Sequence, residues 1–258
     1  MARIHYEKQD HIVVITMEGD NDLNIGTINE EFHDRIDEFR HDDGLWCCIV
    51  TGAGRRSFCA GANLSGALQG GFGTLRVPDL LAPQRPTLLT GLECWKPIIA
   101  AVNGHAIGAG FMLALACDIR LAAENATFAL TEVKFGWPAG QGAIQRLPRL
   151  ISLGPALEVL LTGDRIPASK GLEWGLLNQV TTQDALMDAA LELAHRITAN
   201  PPLSVRVIKE LTYRGLELPF GQSLRMTNLM SAIARTTEDF REATSAFGEK
   251  RRGNFKGR

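Results

Sequence analysis

The chain has 258 residues, 27 basic and 29 acidic side chains, and a formal net charge of −2. At ~150 residues per domain this makes one or two domains, long enough to fold without disulfides or a structural metal. A hydrophobic share of 45% and a charged share of 22% exclude wholesale disorder, a collagen-like fibre and a disulfide scaffold, and the near-neutral balance argues against a protein that coats nucleic acid.

Taken in chain order, the N-terminus MARIHYEKQDH is polar and lacks an apolar signal core. Residues 11–17 (HIVVITM) are rich in β-branched side chains and predict a strand. After a polar turn, Thr27 and Glu30 form a T-x-x-E capping box. It opens a helix whose apolar stripe is Ile28, Phe32, Ile36 and Phe39. Residues 45–50 (LWCCIV) and 97–102 (PIIAAV) are continuous apolar runs suited to buried strands. Between them, residues 65–86 are irregular and rich in Gly and Pro, a loop length that usually carries function. Residues 119–122 and 126–130 predict two further short strands. Strand, helix and strand in this order predict an α/β core with parallel pairing.

The second half changes character. Pro155 opens a helix that Gly163 closes. Thr182 caps a long helix with Leu186, Ala190, Leu193 and Ile197 on one face, stopped by Pro201 and Pro202. Residues 203–214, 220–235 and 237–251 predict three more helices. The composition shift near residues 199–202 places a boundary between an α/β core and an all-helical tail. The longest apolar stretch, residues 111–117, is too short to span a bilayer. The five cysteines, Cys47, Cys48, Cys59, Cys94 and Cys117, form no CxxC pair and lie mostly in apolar runs. They read as reduced, buried thiols of a cytoplasmic protein.

Two segments share a layout. LWCCIVTGAGRRSFCAGANL runs from an apolar strand through a Thr-Gly turn to an Ala-Gly-Ala step. KPIIAAVNGHAIGAGFMLALACD runs from an apolar strand through an Asn-Gly turn to a Gly-Ala-Gly step that enters a helix. In a parallel sheet both turns fall at the carboxyl ends of strands, where open α/β sheets place their ligands. The N–H groups of Ala62 and Ala109 can then converge on one oxygen beside a helix N-terminus, an oxyanion hole in outline. Glycines that merely make tight turns fit the same pattern, and the pattern alone leaves both readings open. Glu132, flanked by Leu130, Val133, Phe135 and Trp137, is a candidate desolvated acid/base, although a solvent-facing glutamate at a strand end fits as well.

Other chemistries find weaker support. Gly108-Ala109-Gly110 is followed by Phe111, Met112 and Leu113, so the dinucleotide fingerprint fails at its last glycine, and no Walker A sequence occurs. A nicotinamide-dependent dehydrogenase is therefore the weaker second class. The six histidines show no metal spacing, and no G-x-S-x-G elbow is present. The C-terminal KRRGNFKGR holds five basic residues, usually a solvated end but able to meet phosphate groups.

With these residues in place, the chain resembles the crotonase family, the enoyl-CoA hydratase/isomerase superfamily, over nearly its full length. The matching segments are SFCAGANL, KPIIAAVNGHAIGAGFMLALACDIRLA, ATFALTEVKFGWPAGQGAIQRLPRL, ALEVLLTGDRI and AFGEKRRGNF, in order and at the right spacing. The resemblance implies a spiral of ββα units over residues 1–200 and a helical C-terminal region, residues 201–258, that packs trimers, often paired into hexamers. It implies an acyl-CoA thioester substrate and no cofactor beyond that coenzyme A; the short apolar runs and the charge balance read above argue for no membrane and against a nucleic-acid partner. Its thioester oxygen would meet the N–H groups of Ala62 and Ala109. Substrate and CoA contacts would fall on Phe58, Ala60, Gly61, Asn63, Leu64, Gly108, Met112, Trp137 and Gly140.

The departures matter. Hydratases of this family carry two glutamates that hold one water. Glu132 matches the second, whereas the first falls at Met112, and the Asp usual after the Ala-Gly-x step is Asn63. One carboxylate suffices to move a proton between carbons, as in enoyl-CoA isomerisation, so isomerisation is expected ahead of hydration. Gln141 and His105 are the candidate auxiliaries. A homologue that binds acyl-CoA or RNA without turnover is the reading from a different class.

Overall fold

The computed structural model describes residues 2–62 and 85–258 of the chain. Its strands are β1 (Arg3–Gln9), β2 (Ile12–Glu18), β3 (Cys47–Gly52), β4 (Ser57–Cys59), β5 (Ile98–Val102), β6 (His105–Ile107), β7 (Ile119–Ala123), β8 (Thr127–Ala129), β9 (Ile166–Pro167) and β10 (Gln179–Thr181). The helices are α1 (Glu30–His41), α2 (Ala109–Ala116), α3 (Ala143–Leu150), α4 (Leu153–Thr162), α5 (Ala168–Glu173), α6 (Leu186–Thr198), α7 (Pro202–Gly215), α8 (Phe220–Ala234) and α9 (Glu238–Gly248). A short 3-10 turn, Thr131–Phe135, follows β8.

The strands form two sheets. One has the order β1-β2-β3-β5-β7-β10 and the other β4-β6-β8-β9. Three times in succession a strand of the first sheet passes almost directly into a short strand of the second: β3 to β4, β5 to β6, β7 to β8. The pairings along β2-β3-β5-β7 and along β4-β6-β8 are parallel, as expected from the apolar runs. β3 and β5 are buried along their whole length, which is why they read as unbroken apolar stretches rather than alternating ones. One face packs Val13, Val50 and Ala100 against Phe58, Ala106 and Phe128 of the second sheet. The other face packs Ile49, Ile99 and Leu121 under Leu186, Ala190 and Ala194 of α6.

Two buried asparagines fasten the crossings. Asn103 Oδ1 accepts from the Gly52 N–H at 3.1 Å, and its Nδ2 donates to the Gly54 carbonyl at 2.9 Å. Asn24, with no exposed surface, donates to the Ser57 carbonyl at 2.7 Å. Each satisfies backbone groups that the ends of the short strands would otherwise leave buried and unpaired.

Several expectations are corrected. The helix expected from Thr27 begins at Glu30, and Asn29 caps it by accepting from the Phe32 N–H. Thr27 is buried and donates to the Asn24 carbonyl at 2.8 Å, so its hydroxyl serves the preceding turn. Thr182 does not cap α6; its carbonyl accepts from Ala185, the N-cap residue. Pro155 lies in the first turn of α4 rather than opening it, while Gly163 closes that helix in the left-handed conformation as expected. The polar stretch Arg3–Gln9 is a strand, paired antiparallel with β2 at the sheet edge. The strand expected over residues 45–50 runs from Cys47 to Gly52, the one expected over 119–122 extends by one residue to Ala123, and the three-residue strands β4 and β6 were not anticipated.

All five cysteines are buried free thiols. Burial pushes Cys47 and Cys117 up to about 12 and raises the other three, which leaves them inert packing groups. Among the described residues no helix is long and apolar enough to cross a membrane. The basic C-terminal segment folds back on α9. Its Lys256 and Gly257 N–H groups donate to the buried Asp239 carboxylate at 2.7 and 2.8 Å. Arg251 pairs with Glu242 and Glu249, and Arg258 with Glu238.

Candidate active site

A cavity of about 270 Å³ opens where β4, β6 and β8 end. The Ala-Gly-Ala step follows β4 and the Gly-Ala-Gly step follows β6, so both leave the short strands of the second sheet in parallel. The Thr-Gly and Asn-Gly turns of the two segments lie earlier, at the crossings between sheets. The two steps lie side by side: a Cβ placed on Gly61 would stand 3.1 Å from the Ile107 carbonyl and 3.9 Å from the Ala109 nitrogen. Gly110 is packed more tightly still, since a Cβ there would meet the Cys59 carbonyl at 2.0 Å.

Ala109 is the first residue of α2, so its N–H has no acceptor inside the helix and points out of the helix N-terminus. The Ala62 N–H has no acceptor among the described residues. Both residues line the cavity, with Ala60, Gly61, Ile107 and Gly108 around them. The arrangement presents backbone donors and the positive end of a helix dipole to one space.

Glu132 reaches the same space from the 3-10 turn after β8. Its neighbour in space is Gly108, where a Cβ would stand 2.8 Å from Glu132 Oε1. Gly108 has a φ of 54°, a conformation that suits a glycine, and its missing side chain leaves room for the carboxylate. Glu132 Oε2 is buried and has no hydrogen-bond partner among the described residues. Burial raises the carboxyl above its ordinary range, as expected for a charge withdrawn from water without a compensating cation. Met112, one turn into α2 and almost wholly buried, completes that wall.

The rest of the wall is the loop after Glu132: Phe135, Trp137, Pro138, Gly140 and Gln141. Phe135 and Trp137 stack with ring centroids 5.7 Å apart. Gln141 sits at a φ of 50°, unusual for a residue with a side chain. The Arg146 guanidinium donates to its carbonyl at 2.9 Å and to the Leu89 carbonyl at 2.8 Å, pinning this loop to the segment before β5.

The structure thus brings together Ala60, Gly61, Ala62, Gly108, Ala109, Met112, Glu132, Trp137, Gly140 and the auxiliary Gln141. Phe58 is not among the residues lining the cavity; its side chain is fully buried in the core cluster. His105 also stands outside the wall. Its Nδ1 is paired with Thr127 Oγ1 at 2.8 Å across β6 and β8, and burial lowers its pKa. Asn63 and Leu64 lie outside the described residues, as does nearly all of the 65–86 loop. Thr131, Phe135, Pro138 and Ile107 were missed as wall residues; only their nearness in sequence to Glu132 and Ala109 could have signalled them. Among the described residues no three His, Cys, Asp or Glu side chains gather to hold a metal ion.

Two sheets wound from ββα units and closed by C-terminal helices are the crotonase fold. The chain matches the family model described as enoyl-CoA hydratase/isomerase over residues 7–258. It is 35% identical over 255 residues to the (E)-benzylidenesuccinyl-CoA hydratase of Thauera aromatica, covering 97% of this chain and 98% of the relative. It is 36% identical over 249 residues to the short-chain-enoyl-CoA hydratase of Clostridium acetobutylicum, covering 95% and 94%. Among solved structures, the enoyl-CoA hydratase of Bacillus anthracis superposes with a TM-score of 0.89 at 33% identity, covering 99% of both chains. The protein belongs to the enoyl-CoA hydratase/isomerase family.

Proposed function

We propose that this enzyme moves a proton beside the carbonyl of an enoyl-CoA thioester, with Glu132, the one carboxylate among the described residues lining the cavity, as its acid/base. The thioester oxygen accepts from the Ala62 and Ala109 N–H groups. Glu132 takes a proton from the carbon next to the carbonyl, electron density moves onto that oxygen, and the same carboxyl returns the proton to another carbon of the enolate. A well-placed oxyanion donor is worth roughly 3 kcal/mol in such a step, and a positioned proton-transfer group roughly 10²–10⁴-fold in rate.

The observation that carries the reading is that Glu132 and Met112 line one cavity. The buried, unpartnered Oε2 and a carboxyl pKa raised by burial suit a group that must both take and give a proton. Met112 can neither transfer a proton nor hold a water by charge. Double-bond isomerisation needs one carboxylate, and among the described lining residues no second carboxylate stands by to grip a water with Glu132. Hydration is the second reading, and the names of the relatives above support it; Glu132 alone would then activate the water. The chain is further proposed to self-associate as a trimer or hexamer.

The test is a panel of 3-enoyl- and 2-enoyl-CoA esters. The expected outcome is rapid interconversion of the two with slow hydration, and at least about tenfold faster hydration in Met112→Glu, a fraction of what general acid–base catalysis can supply. Fast hydration by the unaltered enzyme, with no gain in Met112→Glu, would establish the hydratase reading instead.

A further inference from the structure

Gln141 lines the Glu132 cavity but takes no part in the proton transfer proposed above. Its side-chain amide has no hydrogen-bond partner among the described residues; its carbonyl accepts from the Arg146 guanidinium. Its backbone is the unusual feature. Of the six non-glycine residues with positive φ among the described residues, four are Asp or Asn, the types that tolerate this region best. Lys250 follows the end of α9, where a left-handed residue is common. Gln141, at a φ of 50°, is neither, and it stands between Gly140 and Gly142. A glycine would take this conformation freely. The loop instead carries a side chain where the backbone disfavours one, with Arg146 bonded to the carbonyl to hold it. Local strain of this kind clusters at ligand contacts.

The charge on the wall narrows what the amide can meet. Glu132 is the one charged group among the described residues lining the cavity. A carboxylate on the acyl group would meet no cation there and would face Glu132, so the wall disfavours a second negative charge. The amide offers two donors and an acceptor, which fit an uncharged oxygen. A purely hydrocarbon group pressed against it would strip its water and leave it unpaired. We infer that Gln141 is a specificity-determining residue that contacts the substrate. Its side-chain amide hydrogen-bonds an uncharged oxygen, keto or hydroxyl, carried by the acyl group beyond the reacting carbons. The inference rests on the acyl-CoA reading above and names its substrate class: thioesters of oxygen-substituted, uncharged acyl groups. A few placed polar groups in a mostly apolar cavity are what orient a ligand.

The test measures Kd by calorimetry for pentanoyl-, 4-oxopentanoyl- and glutaryl-CoA, five-carbon acyl groups with no carbon–carbon double bond for the enzyme to move. It uses the unaltered protein, Gln141→Gly and Gln141→Leu. The unaltered protein should bind 4-oxopentanoyl-CoA at least about fivefold tighter than pentanoyl-CoA, the effect of one net hydrogen bond, and glutaryl-CoA most weakly. Gln141→Gly should lose that preference, keep its pentanoyl-CoA affinity within about twofold, and melt no lower than the unaltered protein, since glycine accepts the left-handed backbone. Gln141→Leu, which keeps a side chain but no amide, should bind pentanoyl-CoA at least as tightly as 4-oxopentanoyl-CoA. Equal affinity of the unaltered protein for these two esters would overturn the inference, as would a preference that survives in Gln141→Gly. Weakening of all three esters together in Gln141→Gly, with a lower melting temperature, would overturn it too, marking Gln141 as a structural part of its loop. The expected selectivity in binding without turnover of any enoyl-CoA would refute the catalytic reading alone.

Discussion

Glu132 is held in a setting that costs stability. Its Oε2 is buried without a partner, and no cation offsets its charge among the described residues. Because burial holds the folded pKa above the ordinary 4.5, folding takes up a proton between the two values. Stability therefore falls as pH rises through that window and stays low above the folded value. Glu132→Gln removes the charge and keeps the shape. Its melting temperature at pH 7 should exceed that of the unaltered protein by about 2–4 °C, the effect of roughly 1 kcal/mol in a chain of this size. The difference should vanish near pH 4. A scan of Tm against pH for both proteins checks it; a less stable variant at pH 7 would mean that the carboxylate is satisfied rather than stranded. Such a site, destabilised where it works, is the usual signature of a group kept for chemistry.

Elements bring the oxyanion donors together, and the contact that sets their spacing is Gly110 against Cys59. A methyl on Gly110 would stand 2.0 Å from the Cys59 carbonyl, and neither the α2 backbone nor β4 can yield that distance without separating. Gly110→Ala should cost at least about 2 kcal/mol and lower turnover more than its stability loss explains, since Ala62 and Ala109 would part. Chemical denaturation alongside steady-state kinetics checks both effects; native stability in the variant would show that the two steps are not locked together. The same contact explains what could be read in advance. β3 and β5 were legible because burial on both faces makes them unbroken apolar runs. β4 and β6 were not, because three residues carry no period, and β4 is held at Ser57 by Asn24 and Asn103, both far from it in the chain. Small residues marked Gly61, Ala62, Gly108 and Ala109 as a site. Nothing in the sequence told that Phe58 faces the core, since a strand's facing depends on its partner sheet. Cap residues were misplaced at Thr27 and Thr182 because a buried turn claimed one and a backbone turn the other.

At the scale of the molecule, the C-terminal helices leave large apolar side chains in water. Phe220, Leu229 and Ile233 of α8 and Phe247 of α9 are each more than half exposed, an arrangement more typical of an interface than of a free surface. Light scattering should return three or six times the 28.1 kDa of one chain, and Phe247→Asp should lower that mass; a monomer at micromolar concentration would contradict the proposed assembly. The net charge of −2 conceals local order of the same kind: part of the basic C-terminus is already paired with α9. The proposed chemistry itself needs only one carboxylate facing one oxyanion hole. Incubating a 3-enoyl-CoA in deuterium oxide and following label at the carbon next to the thioester carbonyl isolates that step from everything downstream. The unaltered enzyme should exchange that hydrogen rapidly, and Glu132→Gln should lose the exchange by at least about 10²-fold while still binding butyryl-CoA. Exchange that survives in Glu132→Gln would contradict the assignment of Glu132 as the group that moves the proton.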